Sequence, residues 1–316
     1  MNYKLHSRKY YPLLIVFLMT LSSCTVMERG QRGITKEVVD KNLLKEPEAV
    51  GLKKRIMVLP FLNLKPEMPL EIQIKSRQAF LYNLNRTRDI IALDSEDLKV
   101  PLDKYLKDNE FLLADLSKEV DKLGVSTLLE SKIVDVKVKT KGDQVGIVRN
   151  IVREYEVQVQ IRMVQTRTGK EVFNTQKNLV LEDKDFKVLE RVSEDQKNNY
   201  NWDFIAVLVK DAFLEFIPQV QRAASVVSWQ GRVAAVQGER VFVNVGQISG
   251  VKIGDLLKVS DTSEDIYDPE TGLHLGQVPG RLKGTLEVIS YFGQDGSIAV
   301  IHSGSGFKES DRVELY

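Results

Sequence analysis

The sequence predicts an α+β chain in two folded parts: an α/β domain with antiparallel strands, then a small all-β, barrel-like domain. Three observations carry this. Between residues 55 and 123, compact apolar runs alternate with helically spaced apolar residues. From 128 to 181 the apolar period becomes two, the mark of half-buried strands. After residue 225, short strand-like runs are separated by glycine-rich turns.

The chain opens with a segment unlike the rest. Lys4, Arg8 and Lys9 give a basic start, and no acidic residue precedes Glu28. Residues 13–21 (LLIVFLMTL) form an apolar run. It suits the core of a signal peptide and is too short for a bilayer, which takes about 20 apolar residues. The run ends in Leu21-Ser22-Ser23-Cys24. This resembles the bacterial lipobox, in which a Leu and two small residues precede an acylated cysteine. The resemblance implies signal cleavage between Ser23 and Cys24, lipidation (palmitate) of Cys24, and attachment to a membrane. Thr25 is not the Asp associated with inner-membrane retention, so the resemblance favours the outer membrane, with the chain facing the periplasm. Several acyl chains on one cysteine make detachment rare, at about 0.8 kcal/mol per buried CH₂. Cys24 is the only cysteine, so no intrachain disulfide forms and the fold is held by core burial.

The expected organisation is a signal peptide over 1–23, the lipidated cysteine and a polar tether over 24–52, an α/β domain over 53–224 and a β domain over 225–316. A flexible tether of that length reaches roughly 30 Å. Residues 56–62 (IMVLPFL) read as a strand buried on both faces, with Pro60 near its end. A helix follows over 70–85, with Ile72, Ala79, Phe80 and Leu84 on one face. Residues 90–93 form a short strand. A second helix is expected over 109–123, capped by Asn109. The next strand, 128–139, places Val134, Val136 and Val138 on one face. Residues 151–163 alternate apolar odd positions with polar even ones. Thr168-Gly169-Lys170 reads as a hairpin turn into a strand over 171–181. A charged stretch precedes a helix over 201–217, which Pro218 would stop.

In the last part, strands are expected near 231–236, 240–245, 256–259, 281–290, 297–302 and 312–316. Residues 250–259 and 306–315 echo each other, each leading from a glycine turn through an Asp into a strand. Asp255 and Asp311 are expected to accept backbone N–H groups in those turns. Gly246, Gly250 and Gly254 read as turn glycines, since no helix N-terminus follows them to bind phosphate.

Chemistry is sparse. The 45 basic and 44 acidic residues balance to +1, which leaves no electrostatic footprint for nucleic acid. No catalytic constellation, cofactor motif or metal spacing is present: His6 goes with the signal, His274 falls in an expected loop and His302 ends a strand. The chain is therefore expected not to be an enzyme; the opposing hypothesis is an envelope hydrolase with a carboxylate pair. Asp268-Pro269-Glu270-Thr271-Gly272 reads as a loop turn, with calcium binding the minority alternative. Lys137, Lys139, Lys141, Arg149 and Arg153 make a basic hairpin, either a solvated edge or a partner surface.

Residues 55–63 (RIMVLPFLN), 124–133 (GVSTLLESKI) and 161–172, in this order, resemble the TolB N-terminal and curli-secretion CsgG domains. Residues 229–316 resemble the C-terminal domain of the flagellar assembly protein FlgT, through Gly231-Arg232-Val233, the 250–255 turn and Asp268-Pro269-Glu270-Thr271-Gly272. The flagellar family's N-terminal domain has no counterpart, and the lipobox is not part of its plan. The resemblance implies a non-enzymatic periplasmic structural subunit, self-assembling or bound to a cell-envelope machine such as the flagellar basal body. Two alternatives stand beside it: a tethered regulator of a peptidoglycan synthase, and a CsgG-type secretion channel subunit.

Overall fold

A computed structural model describes residues 51–97, 101–142, 151–183, 200–262, 264–278 and 280–316. Ser23, Cys24 and the tether up to Val50 lie outside these residues, as does most of the charged stretch after the third long strand. The folded unit begins at Gly51. Gly51 and Leu52, expected as tether, already belong to it: Leu52 packs on the barrel core and Lys53 N–H donates to the Ser249 carbonyl at 3.0 Å.

The first part is built on one six-stranded sheet. Strand β1 (Lys54–Val58) lies between β3 (Ile90–Asp94) and β6 (Thr127–Gly142), parallel to both. The short β2 (Leu62–Asn63) also runs parallel to β6. Two antiparallel strands, β7 (Ile151–Gln165) and β8 (Glu171–Asp183), extend the sheet to its far edge. Ile56 and Val58 point to one core, Met57 and Leu59 to another, so β1 is buried on both faces as its continuous apolar run requires. The run stops at Pro60, which has no N–H to give a ladder, and pairing resumes at Leu62.

Helix α1 (Leu70–Asn85) covers one face with Ile72, Phe80 and Leu84, joined by the small Ser76 rather than Ala79. Helices α3 (Trp202–Leu214) and α4 (Ile217–Ser225) lie on the same core. There Phe61, Phe80 and Phe213 cluster, the closest ring pair having centroids 4.3 Å apart. The opposite face is covered at its base by α2 (Leu113–Asp121), through Leu113, Leu116 and Val120.

Three expectations are corrected here. The second helix begins at Leu113, because Asp108 and Asn109 both take positive φ (52° and 57°) and close a miniature hairpin of β4 (Leu106–Lys107) and β5 (Glu110–Phe111). Two successive positive φ values favour Asn and Asp. Val134 leaves the apolar face of β6: a bulge between Ile133 and Asp135 turns Ile133 and Val136 to the same core. Pro218 does not end the chain of helices; it occupies the first turn of α4, where its missing N–H has no partner to lose. The Asn201 side chain does cap α3, accepting from Phe204 N–H at 3.2 Å.

The last part is a closed six-stranded barrel, in the order β10-β15-β14-β11-β16-β9. Its strands are β9 (Gly231–Gln237), β10 (Arg240–Val243), β11 (Leu256–Ser260), β14 (Leu282–Phe292), β15 (Gly296–Gly304) and β16 (Arg312–Leu315). Valines and leucines from alternate positions fill it, among them Val241, Val243, Leu257, Val259, Leu286 and Val288. The sequence echo is a structural echo. Asp255 Oδ2 accepts from Lys252 N–H, and Asp311 Oδ2 from Lys308 N–H, each at 2.7 Å. Between β11 and β14 a separate hairpin, β12 (Glu264–Tyr267) with β13 (His274–Val278), replaces the expected loop and puts His274 in a strand. The chain is thus mixed α+β, rich in strands, with a small closed barrel.

Candidate functional site

The residues singled out by sequence do not converge. Cys24 and Ser23 lie outside the described residues. His302 Nδ1 meets Thr285 Oγ1 at 3.1 Å on the outer surface of the barrel. Asp268 accepts the N–H groups of Glu270 and Thr271 at 2.9 and 2.8 Å, which makes it a turn residue. Among the described residues no group of three or more His, Cys, Asp or Glu side chains could hold a metal ion.

Of the basic hairpin, Arg149 and the Lys141 side chain lie outside the described residues, and Lys137 and Lys139 are paired. Lys137 pairs with Asp135 at 2.9 Å and Lys139 with Glu156 at 2.6 Å. Lys139, then Asn178, hold the Glu156 carboxyl below the ordinary carboxylate range. Among the described residues no helix lies on this sheet face beyond α2. The face carries an amide ladder: Gln158 donates to Gln176 at 3.0 Å and Gln160 to Asn174 at 2.9 Å. The other face of the same hairpin is apolar. Val136, Tyr155, Val157 and Val159 are buried in the core that α3 completes, and are taken up by the protein's own helices. At the root of the face, Glu130 is buried and accepts from Phe111 N–H at 2.7 Å and from Arg162 Nε at 2.9 Å. Lys132 pairs with Glu110 at 2.7 Å and holds that carboxyl below its usual range.

The most organised polar cluster is one that sequence reasoning missed. It sits where the barrel meets the sheet. Asp121, the last residue of α2, has both oxygens engaged. Its Oδ2 forms ion pairs with Arg232 and, at 3.3 Å, with Arg312. Its Oδ1 accepts from Gln230 Nε2 at 2.9 Å, and Gln230 also donates to the Val125 carbonyl at 2.8 Å. Arg232 is 2% exposed; its Nε donates to the Asp121 carbonyl and its Nη1 to the Ser310 carbonyl, each at 2.9 Å. Across the same junction Asn244 donates to the Leu123 carbonyl at 2.9 Å, and Arg55 Nη1 to the Asn244 carbonyl at 3.0 Å. Burial lowers the Arg55 pKa, and nearby Asp295 only partly opposes this. Gly124, at φ +73°, lets the backbone pass this point: a Cβ there would lie 3.0 Å from Asn244 Nδ2.

An open cleft of about 600 Å³ runs along this junction, with Arg55, Lys122, Leu123, Asn244 and Glu309 on its walls. The junction's chemistry is that of a clasp. A carboxylate paired with two guanidiniums and held by an amide is a structural anchor that fixes the two parts against each other.

No family model matches the chain, and no curated protein does. Among solved structures, the chain is similar to the hypothetical protein CT253 from Chlamydia trachomatis at 14% identity, covering 54% of this chain and 98% of that one, with a TM-score of 0.36. Lipoprotein GNA1162 from Neisseria meningitidis is similar at 14% identity over 54% of this chain and 99% of its own, with a TM-score of 0.28. TolB from Acinetobacter baumannii is similar at 13% identity over 80% of this chain and 58% of its own, with a TM-score of 0.26. Likenesses at these TM-scores assign no function. The finer resemblance to the flagellar and curli-secretion families rests on the sequence segments quoted for it.

Proposed function

We propose that this chain is a non-enzymatic lipoprotein of the cell envelope. It is anchored through Cys24 in the outer membrane, faces the periplasm, and serves as a structural or assembly subunit of an envelope machine. A flagellar basal-body ring is the machine its sequence resemblances favour. The observation that carries this reading is the clasp at Asp121. Two bodies joined by a flexible linker would suit a tethered regulator that searches for its target. Two bodies locked by buried ion pairs and amide bonds keep one geometry, as a ring or scaffold subunit must to repeat itself. The partners expected are other copies of this chain and proteins of the machine.

The test is crosslinking in cells, followed by mass spectrometry of what co-purifies. Ladders of self-crosslinked chain together with basal-body proteins are the expected result. A monomer attached to a cell-wall synthase, without flagellar partners, would replace this reading with the regulator.

A further inference from the structure

Strand β8 is the far edge of the six-stranded sheet, and among the described residues it pairs with β7 alone. Past the irregularity opposite Met163 and Val164, that pairing runs unbroken from Phe173 to Asp183. An edge strand turns an N–H and a C=O outward at every second residue, a template for another strand. Long edges are usually blunted by proline, by outward lysines or by bulges. Little of that protects this one. Residues 173–183 contain no proline. Lys177, their only basic residue, turns back on its own chain: its Nζ donates to the Glu215 carbonyl at 2.9 Å and lies 5.0 Å from the Phe216 ring centroid.

The two faces of β8 differ. On the face away from α3, Asn174, Gln176 and Asn178 are exposed. Each is bonded toward β7: Asn174 accepts from Gln160, Gln176 accepts from Gln158, and Asn178 donates to Glu156 at 2.7 Å. An amide carries two donor hydrogens and an oxygen with two lone pairs, so all three keep bonding capacity. On the other face Phe173 and Leu179 are half-buried at the rim of the core.

What fits this edge follows from how β8 matches itself. Outward backbone groups must meet outward groups, so an antiparallel pair of β8 strands is related by a two-fold axis through one residue. With the axis at Gln176, Gln176 meets Gln176 of the second copy, Asn174 meets Asn178, Thr175 meets Lys177 and Phe173 meets Leu179. Amide meets amide on one face, ring meets leucine on the other, and no like charges are opposed. An axis at Lys177 would set two lysines face to face, which is destabilising. An axis at Asn178 would set Phe173 against Asp183, and one at Thr175 would set Phe173 against Lys177. A foreign extended segment would need only the backbone groups; the match of side chains selects a second copy. The contact also closes, because a paired β8 has no edge left for a third chain.

We propose that two copies of this chain join through β8, antiparallel and centred on Gln176, into one continuous sheet. The inference goes beyond the assembly reading above and does not depend on Cys24 or on any envelope machine.

The experiment uses the full chain in detergent micelles. The wild-type chain is expected to sediment as a dimer. Gln176→Lys and Gln176→Glu change an exposed side chain and oppose like charges across the axis. Each should weaken the dimer several-fold, and an equal mixture of the two should restore it. Gln176→Cys should form an intermolecular disulfide on mild oxidation, since directly opposed residues have Cβ atoms about 4.5–5.5 Å apart. Val180→Cys, also exposed, should not, because this register sets its two copies well apart along the paired strands. The wild-type chain, with Cys24 as its only cysteine, gives the background. Crosslinking at 180 as strong as at 176 is what shared micelles alone would produce, and it overturns the proposal. So does a monomeric wild-type chain, or a dimer that both charged variants leave intact. None of these outcomes bears on lipidation or on the machine the chain serves.

Discussion

Asp121 and Arg232 are 111 residues apart in sequence and form a buried ion pair that fastens the end of an α/β-domain helix to the first strand of the barrel. Arg312, from the last strand, meets the same carboxylate, so both ends of the barrel's chain are held at one point. The arrangement resists bending because no member can leave without stranding the others. Burying charges gains little by itself, but removing one partner leaves an uncompensated charge in a dry site.

Asp121→Ala is therefore expected to destabilise the folded chain by about 3–5 kcal/mol, the range for a buried pair broken on one side. Arg232→Met together with Asp121→Asn should cost less than the two single changes summed, since the double change strands fewer charges. Urea denaturation checks both. A loss below about 1 kcal/mol for Asp121→Ala would match an exposed pair instead.

Helix α3 supplies much of the core under β7, and its start depends on a local bond. Asn201→Ala removes the acceptor of Phe204 N–H and should lower stability by about 1 kcal/mol. Asn201→Asp should keep most of it. Thermal unfolding of the three chains gives the comparison.

Acid should weaken the fold below about pH 4, where free carboxylates protonate. Burial raises the Asp94 pKa, but the Arg77 bond, with the Glu96 N–H and Ser95, outweighs it and leaves the net value low. The bond from Lys132 lowers Glu110, and that from Lys137 lowers Asp135. A carboxylate whose folded pKa is depressed stabilises the fold above its unfolded pKa. It loses that contribution as pH falls through the folded value. Denaturation midpoints should be flat from neutrality to about pH 5 and fall below about 4. Arg77→Met should flatten that fall, because it removes the largest partner of Asp94.

Gly304 faces Gly284 across β14 and β15, and a Cβ on it would lie 2.0 Å from the Lys283 carbonyl oxygen at φ +86°. Gly304→Ala combines backbone strain with a clash that no side chain can relieve. A cost of about 1–3 kcal/mol is expected, read by urea denaturation. Gly238→Ala, in open space, would carry only the strain of its positive φ and should cost less.

Much of this architecture was legible because local periodicity and burial agree. The spacing of Ile72, Phe80 and Leu84 defined α1 to its ends, and the odd-numbered positions of β7 from Tyr155 to Met163 are buried. What escaped was set by single backbone events or by distance. One bulged residue, Val134, breaks a face that looks continuous in sequence. Asn109 reads as a helix cap in the sequence, although Asp108-Asn109, two adjacent αL-tolerant residues, also signal a tight turn. Pro218 can end one helix or open the next, and spacing does not separate the two. The clasp left no trace of its own: Asp121 looks like an ordinary charge at a helix end, and Arg232 like an outward strand residue. Only the fold brings them together. The 264–278 hairpin did leave a signal, since Asp268 to Gly272 is turn chemistry between two strand-like runs.

The proposed membrane anchor is one atom, the Cys24 sulfur. The direct measurement is mass spectrometry of the N-terminal peptide of chain purified from the outer-membrane fraction of its own cells. The account predicts a chain that begins at Cys24, with the cysteine carrying acyl mass, and predicts that Cys24→Ser abolishes that species and leaves an unprocessed precursor or soluble chain. A Cys24→Ser chain that is still matured and still membrane-bound, or a wild-type chain with an unmodified Cys24, would contradict it.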